Sequence, residues 1–230
     1  MMSYWSDTQE GSVMTTAIAR AHPNIAFIKY WGNEDESLRI PQNASLSMNL
    51  ASLYTETKVS WDEHASSDSL MINGQPAPEV AVQRVQDHLS AIRQHFDIDG
   101  FARVESVNNF PTGAGIASSA AAFAALALAA VTAAGIHASE PMLSAMARLG
   151  SGSASRSIPS GYVEWYKGHN HKTSFAESIA PPSHWNLVDV IAVVSDAHKS
   201  VTSRQGHTTA STSDLQSARV SGAAERLESC

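Results

Sequence analysis

The chain has 230 residues, 43% hydrophobic and 16% charged, enough apolar material for one large domain or two small ones and too much for long disordered tracts. Its formal net charge of −7 argues against nucleic acid or an anionic membrane as the main partner, although a few local cations suffice for a phosphorylated small molecule. The single cysteine, Cys230, excludes an intrachain disulfide, and no stretch reads as a signal peptide or a spanning helix, so the cytoplasm is the expected location.

In chain order, the polar residues up to about Gly11 are expected to be disordered. Strands are predicted at 15–20 and 24–31, with Pro23 between them, and two-residue alternation predicts further strands at 45–50 and 55–61. Residues 69–72 continue that sheet, and Asn73-Gly74 marks a hairpin turn. A helix is predicted from about Glu79 to His95, with Val82, Val85, Leu89, Ile92 and Phe96 forming one apolar stripe. A strand at 101–107 leads into a Gly-Ser loop, an Ala-rich helix that ends near Gly135, and a helix from about Glu140 to Leu149. Strands at 161–166 and 187–195 and a helix over 214–230 complete the prediction; the Ser/Thr-rich patch near 208–213 reads as disordered. Strands first, then helices mixed with strands, indicate an α+β fold rather than a doubly wound parallel sheet.

Four segments carry the chemistry. Lys29-Tyr30-Trp31 sets a cation and two aromatic rings at a strand end, suited to an anionic ligand or a nucleotide base, or equally to a half-buried domain edge. In Pro111-Thr112-Gly113-Ala114-Gly115-Ile116-Ala117-Ser118-Ser119, small residues let amides converge on an oxyanion, and the next helix aims its N–H groups at the same place. The alternative is a tight helix start with no ligand. Ser151-Gly152-Ser153-Ala154-Ser155-Arg156 places hydroxyls beside a guanidinium that can grip a carboxylate or phosphate, or forms a solvated loop. Lys199–His207 gathers two cations and three hydroxyls, again with a solvated loop as the alternative. The ten histidines lack metal-ligand spacing; His88 and His95, on the polar side of the helical stripe, read as surface or satisfied residues.

Taken together, three strings resemble the signature loops of the mevalonate diphosphate decarboxylases, a family of the GHMP kinase superfamily. They are Asn24-Ile25-Ala26…Ile28-Lys29-Tyr30-Trp31-Gly32, Asn108-Asn109-Phe110-Pro111-Thr112…Gly115…Ala117-Ser118-Ser119, and Ala147-Arg148-Leu149-Gly150-Ser151-Gly152-Ser153-Ala154…Arg156-Ser157. Gly161-Tyr162-Val163-Glu164-Trp165 follows where the family has it, and the resemblance runs from about Ala17 to the C-terminus.

The resemblance implies a GHMP kinase fold, with a ribosomal-protein S5-like N-terminal half over 12–180 and an incomplete ferredoxin-like half over 181–230. It implies ATP and Mg2+, and the ATP-dependent decarboxylation of mevalonate 5-diphosphate to isopentenyl diphosphate for isoprenoid biosynthesis. It assigns Gly113, Ala114, Gly115, Ile116, Ala117, Ser118 and Ser119 to the nucleotide phosphates, and Ser118 also to the metal. Tyr30, Asn33, Ser151, Ser153 and Arg156 fall on the substrate, with Arg156 on its carboxylate; Ser203 and Arg204 fall on its phosphate. Lys29, Ser118 and Arg156 are the implied catalytic residues, and a homodimer is usual in the family.

The sequence departs from the family in two places. Asn33 replaces the second lysine of Lys-Tyr-Trp-Gly-Lys, which points to mevalonate 5-phosphate as an alternative substrate. The family's catalytic aspartate lies in a later Asp-Ala-Gly-Pro-Asn string, absent up to Cys230, and none of Asp35, Asp189, Asp196 or Asp214 sits in that motif. The chain is therefore expected to be C-terminally truncated, with little turnover of its own. A small-molecule kinase of the same superfamily and a fragment that only binds nucleotide are the alternatives in other functional classes.

Overall fold

The computed structural model describes residues 4–8, 15–111, 117–192 and 203–230, with backbone alone at 4–8 and at Ser203 and Arg204. Gly113, Ala114, Gly115 and Ile116 of the predicted phosphate loop lie outside the described residues, as do Lys199 and the end of the predicted strand at 187–195.

Two strands open the chain, β1 (Tyr4–Thr8) and β2 (Thr15–Ala21), paired antiparallel with Tyr4 opposite Ala19. The disorder expected up to Gly11 is thus corrected over 4–8: a strand edge offers unpaired N–H and C=O groups, and a segment rich in β-formers takes them. After β3 (Asn24–Ile28), a small hairpin of β4 (Asn33–Asp35) and β5 (Ile40–Pro41) leads to β6 (Ser45–Asn49) and β7 (Thr55–Asp62). The strand predicted over 24–31 stops at Ile28, and Gly32 turns the chain with φ +89°. β8 (Ser69–Ile72) and β9 (Gln75–Pro76) form the predicted hairpin, with Asn73 and Gly74 both at positive φ as a tight turn requires.

α1 (Glu79–Phe96) then crosses over to β10 (Phe101–Asn108), which lies parallel to β8 as a helical crossover permits. One six-stranded sheet results, in the order β1-β2-β7-β10-β8-β9. Its inner face is set by period-two alternation: Ala17, Ala19, Ala21, Val59, Trp61, Ala102 and Val104 are buried.

α2 (Ser118–Ala133) lies on that face, and nearly every side chain after its first turn is buried. Its alanines keep β2, β7 and the helices around it at close range, and the Trp61 indole N–H donates to the Ala130 carbonyl at 2.8 Å. α1 contributes Leu89 and Ile92 to the core, with Val82, Val85 and Phe96 packed at its margin, as the stripe predicts. His88 corrects the sequence reading: it is buried against Phe123, and among the described residues neither ring nitrogen has a hydrogen-bond partner. Burial, with the Arg39 and Arg84 charges, pushes its pKa down to about 3, so the ring is neutral.

α3 (Glu140–Gly150), capped by Ser139, runs into a 3₁₀ helix over Gly152–Ser157. β11 (Tyr162–Trp165) and β12 (Ala176–Ala180) complete a second sheet, in the order β12-β11-β6-β3. β12 was hidden in a Pro-, His- and Ser-containing stretch. The predicted strand at 187–195 is not formed over 187–192: Val188 and Val190 are 78% and 86% exposed, and a strand pattern without a neighbour makes no ladder. Near the end, the predicted helix is broken into α5 (Gln216–Ser221) and α6 (Ala223–Glu228) at Gly222; α4 (Ser203–Thr208) and a 3₁₀ turn at Ala210–Thr212 precede them. The 208–213 patch is therefore ordered by local bonds such as Thr212 Oγ1 to the Thr209 carbonyl.

Candidate active site

Arg156 sits where the 3₁₀ helix meets the second sheet, 4% exposed. Its Nε donates to Asn24 Oδ1 at 3.2 Å and its Nη1 to Ser45 Oγ at 2.6 Å, while the guanidinium carbon lies 5.8 Å from the centre of the Trp165 ring. Asn24 is itself fixed, because its Nδ2 donates to the Ser153 carbonyl at 3.0 Å and to Ser157 Oγ at 2.8 Å. Among the described residues no carboxylate lies within ion-pair distance of Arg156. Burial lowers its pKa to about 10, partly opposed by Tyr30, so it remains a cation at neutral pH. A buried charge held by neutral groups alone is expensive, and an anion is the natural compensation.

Two of the hydroxyls singled out in the sequence lie side by side. Ser119, in the first turn of α2, lies 3.3 Å from Ser151, oxygen to oxygen. Ala117, at φ 47° and ψ 35°, starts α2 without a side-chain cap, and no acidic residue occupies the first turn. The first-turn amides and the hydroxyls of Ser118 and Ser119 therefore form a donor set that suits an oxyanion. Ser153 is half-buried on the same 3₁₀ helix.

Tyr30 is buried, edge-on to Trp165 at 4.7 Å, and its hydroxyl donates to Asn33 Oδ1 at 2.5 Å. Burial raises its pKa to about 12, so it stays protonated. Asn33 also donates to Glu36 at 2.9 Å, so this position carries a neutral amide joined to a carboxylate. Lys29 is exposed, between buried Ile28 and Tyr30. The side chains of Ser203 and Arg204 lie outside the described residues.

Several residues that hold the site escaped the sequence reading. Asn24 stood in a motif but carried no assigned role, and Ser45 looked like ordinary strand. The Arg219 guanidinium donates to the main-chain carbonyls of Lys29 at 3.1 Å and Trp31 at 2.6 Å, and Gln216 Nε2 donates to Trp31 at 2.8 Å and to Gln42 at 2.7 Å. The C-terminal helices thus dock on the Lys29–Gly32 string. An open groove of about 820 Å³ beside α5, between Glu34, Lys167 and Gln216, does not include Arg156 among its walls.

The sequence model of the diphosphomevalonate decarboxylase-like N-terminal domain matches residues 21–176, more than half of the chain. The chain belongs to this family. The diphosphomevalonate decarboxylase mvd1 of Aspergillus fumigatus is 41% identical over 223 residues, covering 89% of this chain and 55% of the relative. Human diphosphomevalonate decarboxylase is 40% identical over 196 residues, covering 78% of this chain and 48% of the relative. The chain thus spans about half the length of the curated relatives it matches. Among solved structures, MDDEF in complex with MVAPP, AMPPCP and magnesium superposes with a TM-score of 0.85 at 41% identity, covering 94% of this chain and 67% of that one. The α+β architecture is therefore the GHMP kinase fold of the decarboxylases. No helix among the described residues is long and apolar enough to cross a membrane.

Proposed function

We propose that this chain carries the substrate-binding apparatus for ATP-dependent decarboxylation of mevalonate 5-diphosphate. The observation that supports this most directly is Arg156, a buried cation oriented by Asn24 and Ser45 and left without a carboxylate among the described residues. It receives the C1 carboxylate of mevalonate, with Ser151, Ser153 and Tyr30 lining the same side. The C3 hydroxyl loses its proton to solvent and takes the terminal phosphoryl group of ATP, giving ADP. The C1–C2 bond then breaks as CO2 leaves; its electron pair forms the C2–C3 double bond, and the C3–O bond breaks to release phosphate. A tertiary hydroxide leaves badly and a phosphate leaves well, which is why the phosphoryl group is needed.

The nucleotide phosphates belong at the uncapped start of α2, with Ala117, Ser118 and Ser119 and the preceding Gly113–Ile116. Among the described residues no group of three His, Cys, Asp or Glu could hold a metal ion. Mg2+ suits this donor set because it binds through phosphate oxygens and water with few protein ligands, here Ser118 Oγ. When bound, it neutralises charge on the phosphates. Lys29, exposed at the end of β3, assists the phosphoryl transfer in this reading. Ser203 and Arg204 meet the phosphate end of the substrate. The boundary near residue 180, a ferredoxin-like second half, a homodimer and a cytoplasmic location belong to the same proposal.

Asn33 favours a second substrate, mevalonate 5-phosphate. Its bond to Glu36 leaves the phosphate end poorer in positive charge than a lysine would.

Calorimetry with both compounds tests the two readings. Arg156→Gln should lose about 2–5 kcal/mol of binding to either, a rise in Kd of at least ~30-fold. Arg156→Lys keeps the charge but not the two-pronged geometry and should fall between. Unchanged affinity in Arg156→Gln would overturn the carboxylate assignment. Tighter binding of the monophosphate would favour the second substrate, and tighter binding of the diphosphate would remove it.

A further inference from the structure

α4 meets the Lys29–Gly32 string through one side chain and one missing side chain. The His207 ring stacks on Tyr30 with centroids 4.2 Å apart and planes 26° apart, and lies 4.6 Å from the Trp31 ring. Its Nδ1 accepts the Gly32 backbone N–H at 2.9 Å. That bond fixes the neutral tautomer with its hydrogen on Nε2. One residue earlier, a Cβ on Gly206 would lie 2.6 Å from the Trp31 ring, so the helix approaches this closely because Gly206 has none. The string so gripped contains Tyr30, whose hydroxyl holds Asn33 and whose ring edges onto Trp165 beneath Arg156.

We propose that His207 is a positioning residue: stacked on Tyr30 and bonded to Gly32, it holds α4 against the Tyr30–Asn33 side of the Arg156 site, where the phosphate end of the substrate lies. The inference rests on the phosphorylated-mevalonate reading of that site. The charged groups around the ring are Glu36, Arg39, Arg156 and Arg219; burial and the three arginines disfavour its protonation, and Glu36 only partly opposes them. The imidazole is therefore an acceptor throughout the neutral range, as the Gly32 bond requires.

The test uses His207→Phe, which keeps a ring for the stack and removes the acceptor, and His207→Asn, which returns an acceptor. Amide hydrogen exchange in the free chain reads the contact itself. In His207→Phe, Gly32 should exchange at least ~10-fold faster, and the amides of 205–208 should lose protection with it. Calorimetry with mevalonate and mevalonate 5-diphosphate reads the consequence. The gain in affinity given by the diphosphate should shrink about tenfold in His207→Phe, whereas the affinity for unphosphorylated mevalonate should not change. His207→Asn should restore both readouts in part. Unaltered Gly32 protection in His207→Phe overturns the proposal. So does an unaltered affinity ratio once that protection is lost. If the unsubstituted chain binds neither compound, the reading of the site fails, and Gly32 exchange alone decides whether His207 holds the helix.

Discussion

Gly152 shows at the residue scale how closely the site is assembled. A Cβ there would lie 2.5 Å from the Tyr30 hydroxyl and 2.7 Å from its ring, so the phenol occupies the space a side chain would fill. Gly152→Ala should push Tyr30 off Asn33, cost about 1–3 kcal/mol in thermal unfolding and weaken binding of the phosphorylated substrate. A variant with unchanged melting temperature and affinity would show that the ring has room to move. The same neighbourhood marks what a sequence can and cannot disclose. Arg156 was legible because hydroxyls and glycine flank it locally. Its partners were not: Asn24 and Ser45 lie 132 and 111 residues away, and nothing in a strand of small residues announces which cation it will face. His88 was misread for a related reason. Helical periodicity put it beside the stripe, and only the packing of Phe123 against α1 makes that flank interior.

Among the elements, those with a strong period were legible, as was the Ala-rich run of α2: β7, β10, α1 and α2 fall within a residue or two of their predicted bounds. Elements whose existence depends on a neighbour were not. β1 forms because β2 has an open edge, whereas the apolar residues of 187–192 find no strand beside them among the described residues. The crossover from β8 to β10 is fastened by an ion pair that sequence alone does not reveal. Arg93 on α1 bonds both carboxylate oxygens of Asp68, at 2.8 and 3.0 Å, and the Ala102 N–H donates to the same carboxylate at 2.8 Å. Asp68 is almost wholly buried and Arg93 mostly so. Asp68→Ala should therefore destabilise the chain by about 3 kcal/mol, by stranding a guanidinium and an amide. Urea titration gives the value, and a loss below about 1 kcal/mol would mean that water reaches both groups.

For the whole molecule, the buried histidines set the response to acid. His88 and His207 have pKa values lowered to about 3 and about 4, and that of His171 is lowered as well, chiefly by burial. An unfolded histidine takes up its proton near 6.5, so below that pH the unfolded chain binds more protons than the folded one. Stability should be full above about pH 6.5 and fall as the pH drops towards 4. Glu140 and Glu164, whose pKa values burial raises, oppose this in part. The melting temperature should decline between pH 7 and 5, less steeply in His88→Phe; a flat or rising profile would refute the assignment. The grip of Arg219 on the Trp31 carbonyl has a consequence in time. The two residues are 188 positions apart in the chain. At a synthesis rate of about 5–20 residues per second, roughly 10–40 s pass before the second emerges. Through that interval the aromatic string waits without its clasp, so the surroundings of Tyr30 settle well after the strands that flank them have been made.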